Sequence, residues 1–138
     1  MVLFGFTSCA DVCPLTLLAL REAMQLLGKD AERVVPLFIS VDPERDRGPA
    51  LARYVRAFDP RIQGLTGEPA ALQRVAAAHG VFFEKRWVDV SNNVYVFDHT
   101  ASVLLISPDG KLVSAVSSVG TPSEVAQRLA AAFPKEKR

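Results

Sequence analysis

The stretch Val2-Leu3-Phe4-Gly5-Phe6-Thr7-Ser8-Cys9-Ala10-Asp11-Val12-Cys13-Pro14 decides how the rest of the chain is read. Val2 to Phe6 is a short, mostly apolar run, which predicts a buried strand, and Thr7 to Val12 is its exit loop. Pro14 falls where a helix starts, since a fixed φ and a missing N–H suit the first turn. Leu15, Leu18, Ala19, Glu22, Ala23 and Leu26 continue at helical spacing until Gly28. The stretch is therefore a strand, a loop carrying two thiols, and a helix.

Working outward, Val34 to Val41 is apolar and β-branched enough for a second buried strand, ending in the turn-rich Asp42-Pro43-Glu44-Arg45-Asp46-Arg47-Gly48-Pro49. A helix from Pro49 to Phe58, closed by Pro60, a short strand from Ile62 to Leu65, and an Ala-rich helix from Glu68 to His79 capped by Gly80 follow. Val94 to Phe97 and Val103 to Ile106 flank the polar break Asp98-His99-Thr100-Ala101. The turn Ser107-Pro108-Asp109-Gly110 then leads into Lys111 to Ser117, the pattern of an antiparallel hairpin. Thr121-Pro122-Ser123-Glu124 supplies a cap, a first-turn proline and an acidic first turn for a last helix ending near Phe133. An order of β-α-β-α-β-α followed by β-β-α requires a mixed sheet with helices on both faces. The two halves of a thioredoxin-like fold have that character.

Composition bounds the function. The 138 residues, 49% of them hydrophobic and 22% charged, suffice for one core and are too few for two, so residues 1–138 are expected to form a single domain. Lys plus Arg number 16 against 15 Asp plus Glu, a formal charge of +1, and the charges are interspersed; no nucleic-acid partner is indicated. Lys135, Lys137 and Arg138, beside Glu136, read as a solvated end. The longest apolar runs fall far short of the roughly 18 residues of a membrane span, and no signal peptide is visible. Met1 is followed at once by an apolar strand, so the sequence is expected to begin inside the fold, as a truncation of a longer precursor would.

Two cysteines are too few for a disulfide scaffold, which places their value in reactivity or ligation. Cys9 and Cys13 are four residues apart; if the loop winds into the first helical turn, their side chains lie on one face, roughly 5 to 6 Å apart. They can then converge on one ion or form a disulfide. A helix N-terminus adds partial positive charge and free N–H groups that favour the thiolate. Structural zinc sites normally collect four protein ligands, and this chain offers two cysteines and two histidines. Two thiolates and an imidazole suit Cu(I), and hold Cu(II) when other ligands complete the shell. His79, before Gly80, is expected to interact with the carboxyl end of its helix. His99, taken by itself, reads equally as a ligand or as an ordinary loop histidine.

The segment Phe4 to Pro14 resembles the signature of the Sco/SenC copper-chaperone family, whose usual form has a glycine, an aromatic residue and a threonine before C-P-D-V-C-P. The match continues in Ser40-Val41-Asp42-Pro43-Glu44-Arg45-Asp46, in Tyr95 to Thr100 with its Asp-His pair, and in Pro108-Asp109-Gly110. The resemblance implies a thioredoxin-like fold with Cys9, Cys13 and His99 as the ligands of a copper ion. It implies a metallochaperone for the dinuclear copper centre of cytochrome c oxidase, acting on the copper-site subunit and receiving copper from other chaperones. The alternative it implies is a thiol-disulfide oxidoreductase that reduces partner cysteines through Cys9 and Cys13. Family members are tethered by an N-terminal helix at the periplasmic face of the bacterial inner membrane or its mitochondrial counterpart, and carry a further N-terminal segment packed on the sheet.

Ala10 stands where the family has proline, removing a fixed φ and restoring an N–H; a changed affinity or redox poise is expected rather than loss of the site. Asp11 is a candidate acceptor for loop N–H groups. Asp42 follows a strand at the carboxyl edge, where sites on open α/β sheets gather, but reads more readily as a turn aspartate. Asp98 is expected to point away from His99 in an extended segment. Trp87 and Tyr95 read as packing residues.

Overall fold

The structure is a computed structural model that describes residues 1–8, 12–99 and 102–133. Side chains at 12, 13 and 99 lie outside the description, as do the basic residues at 135–138. Strand β1 (Val2–Gly5) runs into the thiol loop, and α1 (Val12–Leu27) follows, continued by a 3-10 segment, Gly28–Arg33. Then come β2 (Leu37–Ser40), α2 (Gly48–Arg56), β3 (Gln63–Leu65), α3 (Pro69–Ala78), β4 (Phe83–Asp89), β5 (Val94–His99), β6 (Ser102–Ile106), β7 (Leu112–Ser117) and α4 (Pro122–Ala132).

Five strands form a mixed sheet in the order β3-β2-β1-β6-β7. β1 pairs parallel with β2 and antiparallel with β6, and β2 pairs parallel with β3. The expected hairpin is β6–β7, antiparallel with an irregularity between Leu105 and Ile106. The mixed sheet with helices on both faces is the expected fold class. All four β1 residues are buried, because the strand is central and covered on both sides.

Alternation along the strands sorts the core into two layers. Leu3, Phe38, Val103 and Leu105 face α1, α2 and α4, packing with Leu17, Leu20, Met24, Leu51, Val55, Val125 and Leu129. Val2, Phe4 and Leu104 face the other way, toward Leu72 and Ala76 of α3 and Phe83 of β4. Leu17, Leu20 and Leu129 are 0% exposed, each worth roughly 1.5–3 kcal/mol of burial. α4 begins with a complete capping box: Glu124 N–H donates to Thr121 Oγ1, and the Glu124 carboxylate accepts from Thr121 N–H. α3 ends as expected at Gly80, whose φ of +68° closes the turn while Val81 N–H reaches Ala76 O at 2.8 Å.

Strand β5 runs on through Asp98 and His99, where a polar break was expected, and two further elements differ from the sequence reading. The run Val34 to Val41 narrows to β2 at Leu37–Ser40, with Val35 56% exposed ahead of Pro36. A strand not anticipated, β4, pairs antiparallel with β5 as a separate two-stranded sheet, with a bulge between Trp87 and Asp89. This ribbon places β5 beside β1 rather than in line with β6 and β7.

Candidate metal centre

The three expected ligands stand differently in the structure. Cys13 is the second residue of α1, so its backbone occupies the helix N-terminus. Cys9 and Asp11 lie outside the described residues. His99 is the last residue of β5, paired with Phe83 across the ribbon. Among the described residues no group of three or more His, Cys, Asp or Glu forms a metal cluster.

What the structure does describe is the scaffold that carries these positions. Phe6, at the exit of β1, meets Phe97 of β5 with ring centroids 5.5 Å apart. Phe97 also packs on Phe83 at 6.3 Å and edge-on to Tyr95 at 5.8 Å. Aromatic pairs at these separations contribute beyond their buried area and fix relative orientation. The strand that feeds the thiol loop and the strand that ends on His99 are thus joined by one aromatic cluster. Cys9 follows Phe6 by three residues and His99 follows Phe97 by two.

A polar network lies beside that cluster. Asp46, 1% exposed, accepts from Thr7 N–H at 2.9 Å, from the Thr7 hydroxyl, and from Ser40 Oγ at 2.5 Å. Ser40 Oγ in turn accepts from Asp42 N–H at 3.1 Å. Asp42, also 1% exposed, accepts from the Tyr95 hydroxyl at 2.9 Å. Its backbone closes a turn, with Asp46 N–H on Asp42 O at 2.9 Å, so the expected turn role holds. The buried carboxylate reaching β5 is the added role. Burial holds the Asp42 carboxyl above the usual carboxylate range, against the opposing Tyr95 hydrogen bond, and the nearby Asp46 charge adds to the rise. Burial first, and then Asp42, push the Tyr95 phenol from 10.0 up to about 12.

Cations complete the surround. The Arg45 guanidinium carbon lies 3.6 Å from the Tyr95 ring centroid and Lys85 Nζ 4.0 Å from it, both within cation–π range. Arg45 also approaches Asp42 at 3.8 Å and Lys85 approaches Glu44 at 3.7 Å. Trp87 packs edge-on to Tyr95 at 5.2 Å, so both aromatic residues serve packing as expected, and the Tyr95 hydroxyl also holds a buried acid. Asp46 was not singled out by sequence; the signal available was its place in the block shared with the family signature.

The remaining expectations resolve simply. His79 Nδ1 sits 2.9 Å from Val75 O, the helix-end contact foreseen for it. Asp98 pairs with Arg86 at 3.1 Å on the exposed side of the ribbon. No helix among the described residues is long and apolar enough to cross a membrane.

Comparison with known proteins gives a consistent result. The family described as SCO1/SenC matches residues 1–133. The SCO2-like protein of Rickettsia conorii is 33% identical over 129 residues, covering 94% of this chain and 63% of that protein. The chain therefore spans less than two thirds of the length of that relative. The solved structure of Bradyrhizobium japonicum ScoI, which has copper bound, is 39% identical, with a TM-score of 0.78 over 96% of this chain and 83% of that one. The solution structure of apo Sco1 from Thermus thermophilus is 42% identical, with a TM-score of 0.81 over 94% of this chain and 74% of that one.

Proposed function

Because the chain belongs to the SCO1/SenC family, we propose that it is a copper metallochaperone that holds its cargo ion through Cys9, Cys13 and His99. The observation that carries the reading is the Phe6–Phe97 contact at 5.5 Å, which brings the stem of the thiol loop beside the strand ending on His99. The donor set suits the metal, since two thiolates and a neutral imidazole form a soft, low-coordinate shell preferred by Cu(I). The helix terminus at Val12 supports thiolate formation at Cys13, because free N–H groups and the helix dipole stabilise negative charge there. The copper bound in the Bradyrhizobium relative supports the same cargo.

In this reading three ligands leave one side of the ion open, and a partner's donor displaces them one at a time. The recipient is the copper-site subunit of cytochrome c oxidase, whose dinuclear centre the transfer helps to build. The place of action is the periplasmic face of the bacterial inner membrane or its mitochondrial equivalent, with a membrane tether. The near-even charge of the chain, +1, fits a protein partner better than nucleic acid.

The test is a copper titration of the reduced protein in competition with a Cu(I) chelator. One ion should be taken up, and His99→Ala should lower the affinity by more than about a hundredfold, since even groups that only support ligands are worth about 10–100-fold. Unchanged affinity in that variant sinks the three-ligand arrangement.

The position of Cys13 in the first helical turn also favours a second reading, reduction of a partner disulfide. One thiolate attacks a partner sulfur, a mixed disulfide forms, and the other cysteine displaces the partner thiolate; the chain ends oxidised and the partner reduced. Single-cysteine variants should then trap partner adducts, and His99→Ala should leave exchange unaffected.

A further inference from the structure

Thr7, Asp46, Ser40, Asp42 and Tyr95 form one continuous hydrogen-bonded chain across three separate elements: the exit of β1, the end of β2 with its following loop, and β5. Ser40 is 0% exposed, Asp42 and Asp46 are 1% exposed, and Tyr95 is 3% exposed. Two buried carboxylates side by side are an expensive way to fill a core, since a pair of apolar side chains of similar size avoids the desolvation cost. Their return is geometric. Each acceptor fixes a particular donor at a set distance and angle, which apolar packing does less sharply.

The two ends of the hydrogen-bonded chain lie on the segments that lead to Cys9 and to His99. Asp46 holds Thr7 by both its N–H and its hydroxyl, two residues before Cys9. Asp42 holds the hydroxyl of Tyr95, four residues before His99. Between them the loop is closed on itself, with Asp46 N–H on Asp42 O at 2.9 Å and Arg47 Nε on Pro43 O at 2.7 Å. The loop is anchored to β1 by Val41 N–H on Gly5 O at 2.8 Å.

We propose that the loop of residues 42–46 is a rigid bracket that sets the separation of the thiols from the histidine, with Asp46 and Asp42 as its positioning residues. The inference rests on the reading that Cys9, Cys13 and His99 hold copper. It adds a role for buried residues outside the proposed ligand set. Asp46 acts on the thiol loop through Thr7, and Asp42 acts on the histidine strand through Tyr95.

The test uses the whole chain with four substitutions and one control. Asp46→Asn keeps the size but leaves its amide nitrogen unable to accept, so at least one of three donors loses its acceptor. Thr7→Val removes the hydroxyl, Thr7→Ser keeps it, and Tyr95→Phe cuts the link to Asp42 together with a longer one to Glu44 at 3.4 Å, leaving the Thr7 end of the chain intact. Cu(I) affinity by chelator competition should fall about tenfold for Asp46→Asn and Thr7→Val, the low end of what supporting groups contribute. Thr7→Ser should restore wild-type affinity. Tyr95→Phe should shift the thiolate-to-copper charge-transfer band of the Cu(II) form, because it releases the strand bearing the imidazole while the thiol loop stays held.

The control is Leu129→Ala, which weakens the core on the other face of the sheet and should leave both readouts unchanged at a temperature where it is folded. Wild-type affinity in folded Thr7→Val, or an unshifted charge-transfer band in folded Tyr95→Phe, overturns the bracket and leaves the ligand reading standing. An equal loss in Leu129→Ala also overturns it, as a general effect of stability. Wild-type protein that takes up no copper overturns the ligand reading and the bracket with it.

Discussion

The two faces of the five-stranded sheet are filled in different ways. Toward α1, α2 and α4 the layer is closed and apolar: Phe38, Leu17, Leu20, Val103 and Leu129 are all 0% exposed. Toward α3 and the β4–β5 ribbon the layer is assembled from unlike pieces. At the carboxyl ends of β1 and β2 it holds the aromatic cluster and the buried aspartates. At their amino ends it opens into an apolar cleft of about 940 Å³, lined by Val2, Phe4, Leu37, Ile39, Val75 and Ile106 among others. The first face carries stability through packing density; the second gives up part of that density to position groups at one end. A fold of this kind separates what holds it together from what it presents.

The comparison can be broken by neighbours on one strand. Phe38 and Ile39 are adjacent on β2 and point to opposite faces. Phe38→Ala should cost about 3–5 kcal/mol in denaturant unfolding, because it empties a closed core. Ile39→Ala, on a half-buried position beside the cleft, should cost about 1–2 kcal/mol, since less apolar surface is lost and the cavity is already open. Equal costs would mean that the two layers are equally packed.

The faces should also fail at opposite ends of the pH scale. Near the helix-covered layer, Asp59 accepts from Arg61 Nε at 2.9 Å, Nη2 at 2.7 Å and backbone N–H at 2.8 Å. Those hydrogen bonds hold its carboxyl below the ordinary value of 3.8 despite burial. A depressed carboxylate contributes stability that is present above 3.8 and is lost as pH falls through the folded-state value. Asp59→Asn should remove that part of the acid lability. On the other face Tyr95 is raised from 10.0 to about 12, so the folded state keeps a proton that the unfolded chain releases. Its contribution is fully present below pH 10 and is lost as pH rises toward about 12. Tyr95→Phe should flatten the alkaline limb of a stability-versus-pH curve, whereas Asp59→Asn should leave that limb as it is.

The smallest expected effect concerns the helix that closes the packed face. Thr121→Ala removes the side-chain half of the α4 capping box and should cost about 1 kcal/mol, read as a shift of the unfolding midpoint at constant slope. Copper affinity should be unmoved, since Thr121 belongs to the stabilising face alone.

Much of this was legible in the chain because the signals are local. The apolar run at Val2, the proline near the start of α1, the Gly80 cap, the Thr121-to-Glu124 box and the Ser107-to-Gly110 turn each act within a few residues, where periodicity and backbone preference operate. The spacing of Cys9 and Cys13 is local in the same sense. Strand β4 was not legible, because Phe83–Asp89 carries four charged residues and most of it is exposed; it is a strand only by pairing with β5. The aspartates make the same point. As members of a turn, Asp42 and Asp46 follow from the loop itself. That Asp42 is buried under the hydroxyl of Tyr95, 53 residues on, and that Asp46 holds Thr7, 39 residues back, only the tertiary structure decided. A hydrogen bond between distant residues depends on which strands meet, and no local periodicity encodes that meeting.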